Sequence, residues 1–250
     1  PETVQLGMEK LIETGSDVVM WPYFSVRAGN TVEKHFFEGD RLFEEAEVRE
    51  KLHRRYVGLL GEELAHPELA DSLCPVWGKI YKASVIRGIR FVDLNKIGTY
   101  EDGLFNLEAY FHVRKAYYID RPMYYYRRSN AASQTAVYRE KLYVQWQSLF
   151  DHLDSYVKTH SLPQNYDEAL ENRIALSIIG LGLNLCSSDM DRAEKIRHLR
   201  DILRSPRYRE AYKKLTLRYF PLHWKVFFFV CKVGNASALY LLLQIIRRLK

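Results

Sequence analysis

A chain of 250 residues with 47% apolar and 27% charged side chains is long and apolar enough to bury a core, which excludes a disordered polymer. Its three cysteines, Cys74, Cys186 and Cys231, are far apart and match no ligand spacing, so a disulfide scaffold and a zinc site are not expected and a reducing cytosolic setting is the natural reading. The net charge of +6 is held unevenly: residues 192–250 carry 15 Lys and Arg against 3 Asp and Glu, so a basic C-terminal quarter follows an acidic body and predicts a surface that meets phosphates.

Pro1-Glu2-Thr3 reads as the first turn of a helix whose cap lies upstream, and the expectation is that the chain is cut from a larger protein. Leu6, Leu11 and Ile12 continue that helix over 3–14, to Gly15. "DVVMWPYF" (17–24) predicts a buried strand with Pro22 marking a bend or an edge, and "TVEKHFF" (31–37) its hairpin partner. Val48, Leu52, Val57 and Leu60 are the inward positions of a helix over 44–60. "VWGKIYKASVI" (76–86) reads as helical, and "KAYYID" (115–120) and "PMYYYRR" (122–128) as two short strands. After a polar break at 129–135 the pattern turns helical, at 138–160, 166–186, 190–204, 206–215, 222–233 and 236–249. There is no internal repeat.

Three ordered blocks carry a resemblance. "VWGKIYKASVIRGIRF", "YEDGLFNLEAYF" and "AYYIDRPMYYYRRSNAASQT" together resemble the second half of family 2 glycosyltransferases of the GT-A fold. The likeness covers residues 1–140 well and the helical tail more loosely. It implies an α/β fold: the acceptor-side half of a Rossmann-like mixed sheet (1–135), followed by an all-α extension (136–250). It also implies that the nucleotide-binding half, with the DxD-type motif that grips a Mn or Mg ion on the donor's diphosphate, lies upstream. Asp189-Met190-Asp191 fits those letters, but it falls between helices of the tail and reads as a coincidence. No metal site is therefore expected in the chain itself.

Inverting sugar transfer needs a carboxylate to take the acceptor hydroxyl's proton and positive charge to receive the departing diphosphate. The resemblance puts the base at Asp102, with Glu101 in support. Leu104, Leu107 and Phe111 place Asp102 in a helix's first turn, where the dipole favours the ionised form, and Gly103 leaves room beside it for a ligand. The same residues allow another reading, because Thr99-x-x-Asp102 has capping-box spacing. Trp77 offers a face for a sugar ring, or is core. Lys79 binds a phosphate or hydroxyl, or is a solvated surface residue. Alternation puts Tyr124, Tyr126 and Arg128 on one face of their strand and Tyr125 and Arg127 on the other. The resemblance favours Arg127 near the diphosphate with Ser133 in the loop after it; the alternative is a charge-protected edge strand.

The tail's last apolar runs, within 221–250, are broken by Lys232 and Gly234-Asn235 and fall short of a spanning length. Flanked by Lys and Arg, they suit helices lying on an anionic leaflet, or else core helices or a subunit interface. The reading is an inverting, hexosyltransferase-like enzyme of polysaccharide, exopolysaccharide or lipopolysaccharide assembly at the cell envelope. Its donor would be a nucleotide-sugar, its acceptor a glycan or lipid-linked glycan, and its place the inner face of the cell membrane, through residues 192–250. The chain alone is expected to be inactive. The alternative is a non-catalytic membrane- or protein-binding module on the same fold. Nucleic-acid binding is discounted, because the basic residues cluster with apolar helices.

Overall fold

The computed structural model describes residues 2–27, 30–127 and 137–249. The expected break and Ser133 lie outside them, as does Arg128. The chain divides into two compact units, one of 1–56, 71–94 and 99–133, the other of 57–70, 95–98 and 134–250.

The first unit is α/β. Helix α1 (Glu2–Thr14) is followed by strands β1 (Val18–Met20), β2 (Tyr23–Arg27), β3 (Asn30–Lys34) and β4 (Arg41–Phe43). A continuous helical stretch follows: α2 (Glu45–Glu47), a π-helical segment (Val48–His53) and α3 (Arg54–Val57), which leads out of the unit. Later come β5 (Lys79–Tyr81), α4 (Ala83–Ile86), α5 (Leu94–Ile97, shared with the other unit), α6 (Glu101–Phe111), β6 (Ala116–Tyr118) and β7 (Tyr125–Arg127).

Two sheets result, with strand orders β4-β6-β1-β5 and β3-β2-β7. β1 runs parallel to β6 and β2 parallel to β7, while the β1–β5, β4–β6 and β2–β3 pairs are antiparallel. Pro22 lies where the chain leaves the first sheet for the second. It removes a ladder donor there, and main-chain bonds from Ile119 to Met20, Met123 to Pro22 and Phe24 to Tyr124 carry the parallel pairing across the gap.

Alternation sorts β1. Val19 packs with Leu11, Trp21 and Ile119 on the α1 side. On the other side the buried Tyr110 hydroxyl of α6 reaches Met20 Sδ at 3.7 Å.

The helix expected over 76–86 is a correction. Residues 79–81 pair with β1 in the register Val18↔Tyr81, Val19↔Ile80 and Met20↔Lys79, and only Ala83–Ile86 is helical. An open edge beside a fully buried strand outweighs the local spacing, because strand preference is mostly a matter of neighbours.

The second unit is built on α7 (Leu142–Thr159), α8 (Gln164–Cys186), α9 (Arg192–Arg204), α10 (Pro206–Lys214), α11 (Leu222–Lys232) and α12 (Ala236–Leu249). Helix α8 is its axis and packs on α7, α10 and α12. Among the described residues it is the one helix long and apolar enough to cross a bilayer, but 67% of its apolar window is buried within the protein, as befits a core helix.

The segment after α3 is tied to α8 by side chains that a plain apolar helix would lack. Asn172 donates to Leu59 O at 2.9 Å, and Arg173 Nε to Val57 O at 2.6 Å. Gly58 lies so close that a Cβ there would stand 1.9 Å from Ala169 O, a backbone atom. Gly58→Ala is therefore expected to lower stability by about 2 kcal/mol, within the usual range for overpacking. Urea denaturation of the purified chain checks it, and an unchanged midpoint would show that the backbone yields.

Candidate active site

The site is assembled around the N-terminus of α6. That helix is held at both ends. Arg49, from the π-helical segment, donates to Tyr110 O and Phe111 O at 3.1 and 2.7 Å, meeting carbonyls that the last turn leaves open. At the other end the cap is Tyr100, in the left-handed region at φ 80° and ψ 15°, with no side-chain cap bond. A bulky residue there costs about 1–3 kcal/mol and persists only where its surroundings enforce it. Two contacts do so: the Tyr100 hydroxyl donates to Tyr56 O at 2.6 Å, and its ring lies against Gly103.

Two expectations are corrected here. The Thr99-x-x-Asp102 capping box does not form, because the cap falls at Tyr100 and the Asp102 carboxylate turns elsewhere. Nor does Gly103 leave room for a ligand. A Cβ at that position would sit 2.3 Å from the Tyr100 ring, so the missing side chain makes room for the tyrosine.

Asp102 is half-buried in the first turn of α6. Its Oδ2 accepts a long hydrogen bond, 3.4 Å, from the Val76 amide, and Oδ1 makes none among the described residues. Desolvation raises its pKa above the ordinary carboxylate value, against the opposing pull of the Val76 amide and of the Lys79 charge. Glu101, also half-buried, has no side-chain partner among the described residues.

The amide that meets Asp102 belongs to a strap, residues 73–76, whose carbonyls are met by enclosed side-chain groups. Tyr56 OH donates to Leu73 O at 3.3 Å. Lys79 Nζ donates to Leu73 O at 2.7 Å and also to Pro75 O. Asn106, fully buried in α6, donates to Cys74 O and to Asp102 O, both at 2.7 Å, and accepts from Tyr81 OH at 2.7 Å. Lys79 is thus neither a solvated surface residue nor aimed at a ligand. Burial lowers its ammonium pKa to about 8, with Cys74 and Asp102 pulling the other way.

Trp77 directly follows the strap. Its ring stacks on Tyr124 and Tyr126, with centroids at 4.1 and 5.5 Å, and meets Tyr23 edge-on at 5.0 Å. Tyr125 instead stacks on Phe24 at 4.5 Å. The structure thus brings Asp102, Lys79, Trp77 and Tyr126 to one end of the unit, whereas alternation puts Arg127, exposed on β7, on the face of Tyr125. Sequence reasoning missed Asn106 and the ring pair Phe91–Phe105. Phe105 lies one turn on from Asp102 and stacks at 4.5 Å on Phe91, which is 53% exposed.

Among the described residues no three His, Cys, Asp or Glu side chains converge as a metal would need. Asp191 is occupied in capping α9, accepting from the Glu194 amide at 2.8 Å while Glu194 reciprocates at 3.4 Å.

With this geometry, the mixed α/β architecture is of the kind found in glycosyltransferases. The crystal structure of S. aureus TarS 1–349 in complex with UDP-GlcNAc matches 99% of this chain and 64% of its own, with a TM-score of 0.55 at 13% identity. The structure of TarS 1–349 described without that ligand matches with a TM-score of 0.51 at 14% identity. No family profile matches the chain. Over 142 residues, 55% of the chain, it is 26% identical to glycosyltransferase GlyA of Streptococcus pneumoniae, covering 18% of that protein. Over a stretch of the same length it is 27% identical to the putative glycosyltransferase EpsH of Bacillus subtilis, covering 41% of it. The chain thus spans less than half of either relative. These similarities support a glycosyltransferase fold.

The raised pKa of Asp102 has a signed consequence. An acid whose folded pKa exceeds its unfolded value binds the proton more tightly when folded. Its ionisation therefore destabilises the fold as pH rises through the window above the ordinary value of 3.8. Asp102→Asn should leave the melting temperature at pH 7 unchanged or higher, and any gain should fade below the carboxylate range. Melting curves at pH 7 and at acidic pH check this; a large loss at pH 7 would make the carboxylate a structural anchor.

Proposed function

We propose that this chain is the acceptor-side part of an inverting, family 2 GT-A glycosyltransferase that moves a hexosyl unit from a nucleotide-sugar to a glycan or lipid-linked acceptor in cell-envelope polysaccharide assembly. The observation that carries the reading is Asp102, a half-buried carboxylate with one oxygen anchored to the Val76 amide and the other unbonded. Such a group is oriented, and desolvation makes it a stronger base than a solvated aspartate.

In the reaction, the acceptor oxygen forms a bond to the anomeric carbon as the bond from that carbon to the diphosphate breaks. The acceptor proton passes to Asp102 Oδ1. The strap keeps Oδ2 in place, and Glu101 stands next to the base. Trp77 and Tyr126 form an aromatic wall beside the strap, and Phe91 with Phe105 a second ring surface near the same turn, both suited to the apolar faces of sugars. Arg127, exposed on β7, is the group assigned to the diphosphate side, together with Ser133 further along the sequence. The acidic motif and its Mn or Mg ion are assigned to a part of the enzyme outside these 250 residues.

The helical unit is assigned to the inner face of the membrane. On α11 and its C-cap the exposed Leu222, Val226, Phe229 and Val233 recur at helical spacing along one face, with Lys225 and Lys232 on the same helix.

In the full-length protein Asp102→Asn should reduce transfer to a defined acceptor by about two orders of magnitude, the scale of general-base loss, with the fold intact. Transfer within a few-fold of the wild type would remove Asp102 from the role and favour a non-catalytic module. Calorimetric titration of the 250-residue chain with UDP- and GDP-sugars plus Mn²⁺ should show no tight binding. Micromolar binding at a single site would place the donor site within the chain.

A further inference from the structure

The second unit holds a cleft of about 350 Å³ enclosed by α9, α10 and the C-terminal end of α11. Its walls carry Arg204, Arg209, Lys213 and Lys232 and no carboxylate, and its apolar lining includes Tyr212 and Val233. Several other cations of the same helices are already answered. Arg207 pairs with Asp151 and Gln147, Lys214 with Glu171 and Glu210, and Lys195 donates to Ser188 O. Lys232 donates to Leu215 O at 2.7 Å, closing the end of α10. The side chains of Arg204, Arg209 and Lys213 bond to nothing among the described residues.

Four like charges at one cleft repel one another and concentrate a positive potential there. The C-terminal ends of α9 and α11 offset part of it, since cations are favoured beside them. What remains is a bowl of unpaired guanidinium and ammonium donors, the set that phosphate oxygens satisfy through charge-assisted bonds.

A second feature says from where the phosphate comes. Val233 belongs both to the cleft wall and to the exposed apolar row of α11. Next along that row, Val226 and Phe229 share a shallow apolar depression with Leu217, Arg218 and Lys225. A surface with apolar groups running to the rim of a cationic cleft matches a lipid, whose chains and headgroup phosphate lie side by side. We infer that the Arg204–Arg209–Lys213 cleft binds the phosphomonoester headgroup of a membrane lipid while the apolar row of α11 enters the interface. This deepens the membrane assignment above and rests on it, but is independent of the transfer chemistry.

The test is co-sedimentation with two kinds of phosphatidylcholine vesicle, one doped with phosphatidic acid (a phosphomonoester) and one with phosphatidylglycerol (a phosphodiester), matched in surface potential. The wild-type chain should prefer phosphatidic acid. R204Q/R209Q/K213Q should lose that preference, with binding to phosphatidic acid weakened by roughly fivefold per charge removed. The charge-matched variant R218Q/K225Q/R248Q should weaken binding to both vesicles and keep the preference. All three substitutions in each variant alter exposed side chains, so folding is not at stake.

Equal binding to the two vesicles, with both variants behaving alike, would overturn the cleft while leaving general membrane attachment standing. No binding to either would overturn both. Calorimetry with inorganic phosphate completes the set: tight, cleft-dependent binding of phosphate without vesicle binding would overturn the lipid as its source.

Discussion

The strap at 73–76 is the constraint on which the candidate site depends. Three consecutive carbonyls leave water and each needs a donor. Tyr56, Asn106 and Lys79 supply them from α3, α6 and β5. Because those elements also pack the core, the strap cannot shift without breaking bonds on several sides at once. The Val76 amide therefore stays aimed at Asp102. Lys79, which looks like a ligand-binding residue in isolation, serves the backbone.

The helical unit rests on a different device. Helix α8 buries a long apolar face, and three of its polar side chains are spent on main chain. Asn172 and Arg173 hold 57–59, and Asn184 both donates to Arg139 O and accepts from Arg139 N at 2.9 Å. Buried amides matched in this way fix register where apolar packing alone would tolerate sliding. The basic quarter of the sequence lies on α9, α10 and the last two helices.

Much of this was readable beforehand, for identifiable reasons. The six helices after residue 137 carry long apolar periods punctuated by Ser205-Pro206, Pro221 and Gly234-Asn235, signals that are local. The alternation along 124–127 correctly sorted Tyr124 and Tyr126 from Tyr125. Strand β5 was not legible, since its identity lies in the free edge of β1, sixty residues away. Asn106 was hidden for a similar reason: one asparagine in an apolar helix looks the same whether solvated or bound to Cys74 and Tyr81. Gly103 reads in sequence as room for a ligand, whereas the room is taken by the Tyr100 ring. A tyrosine with positive φ leaves no trace in sequence. The same holds for His35, whose ring bridges Glu33 and Asp120, 85 residues further on.

Tyr100 and Gly103 interlock, and that has a bearing on how the helix start can change over time. Replacing Gly103 alone drives a Cβ into the tyrosine ring. Replacing Tyr100 alone by glycine would ease the backbone but empty the space under the first turn and strand the Tyr56 carbonyl. Each step by itself passes through a worse state, and a simultaneous exchange offers a way round. The two positions are thus locked into shared descent, and the loop between the units' shared α5 and α6 inherits a shape that drift at single sites does little to erode.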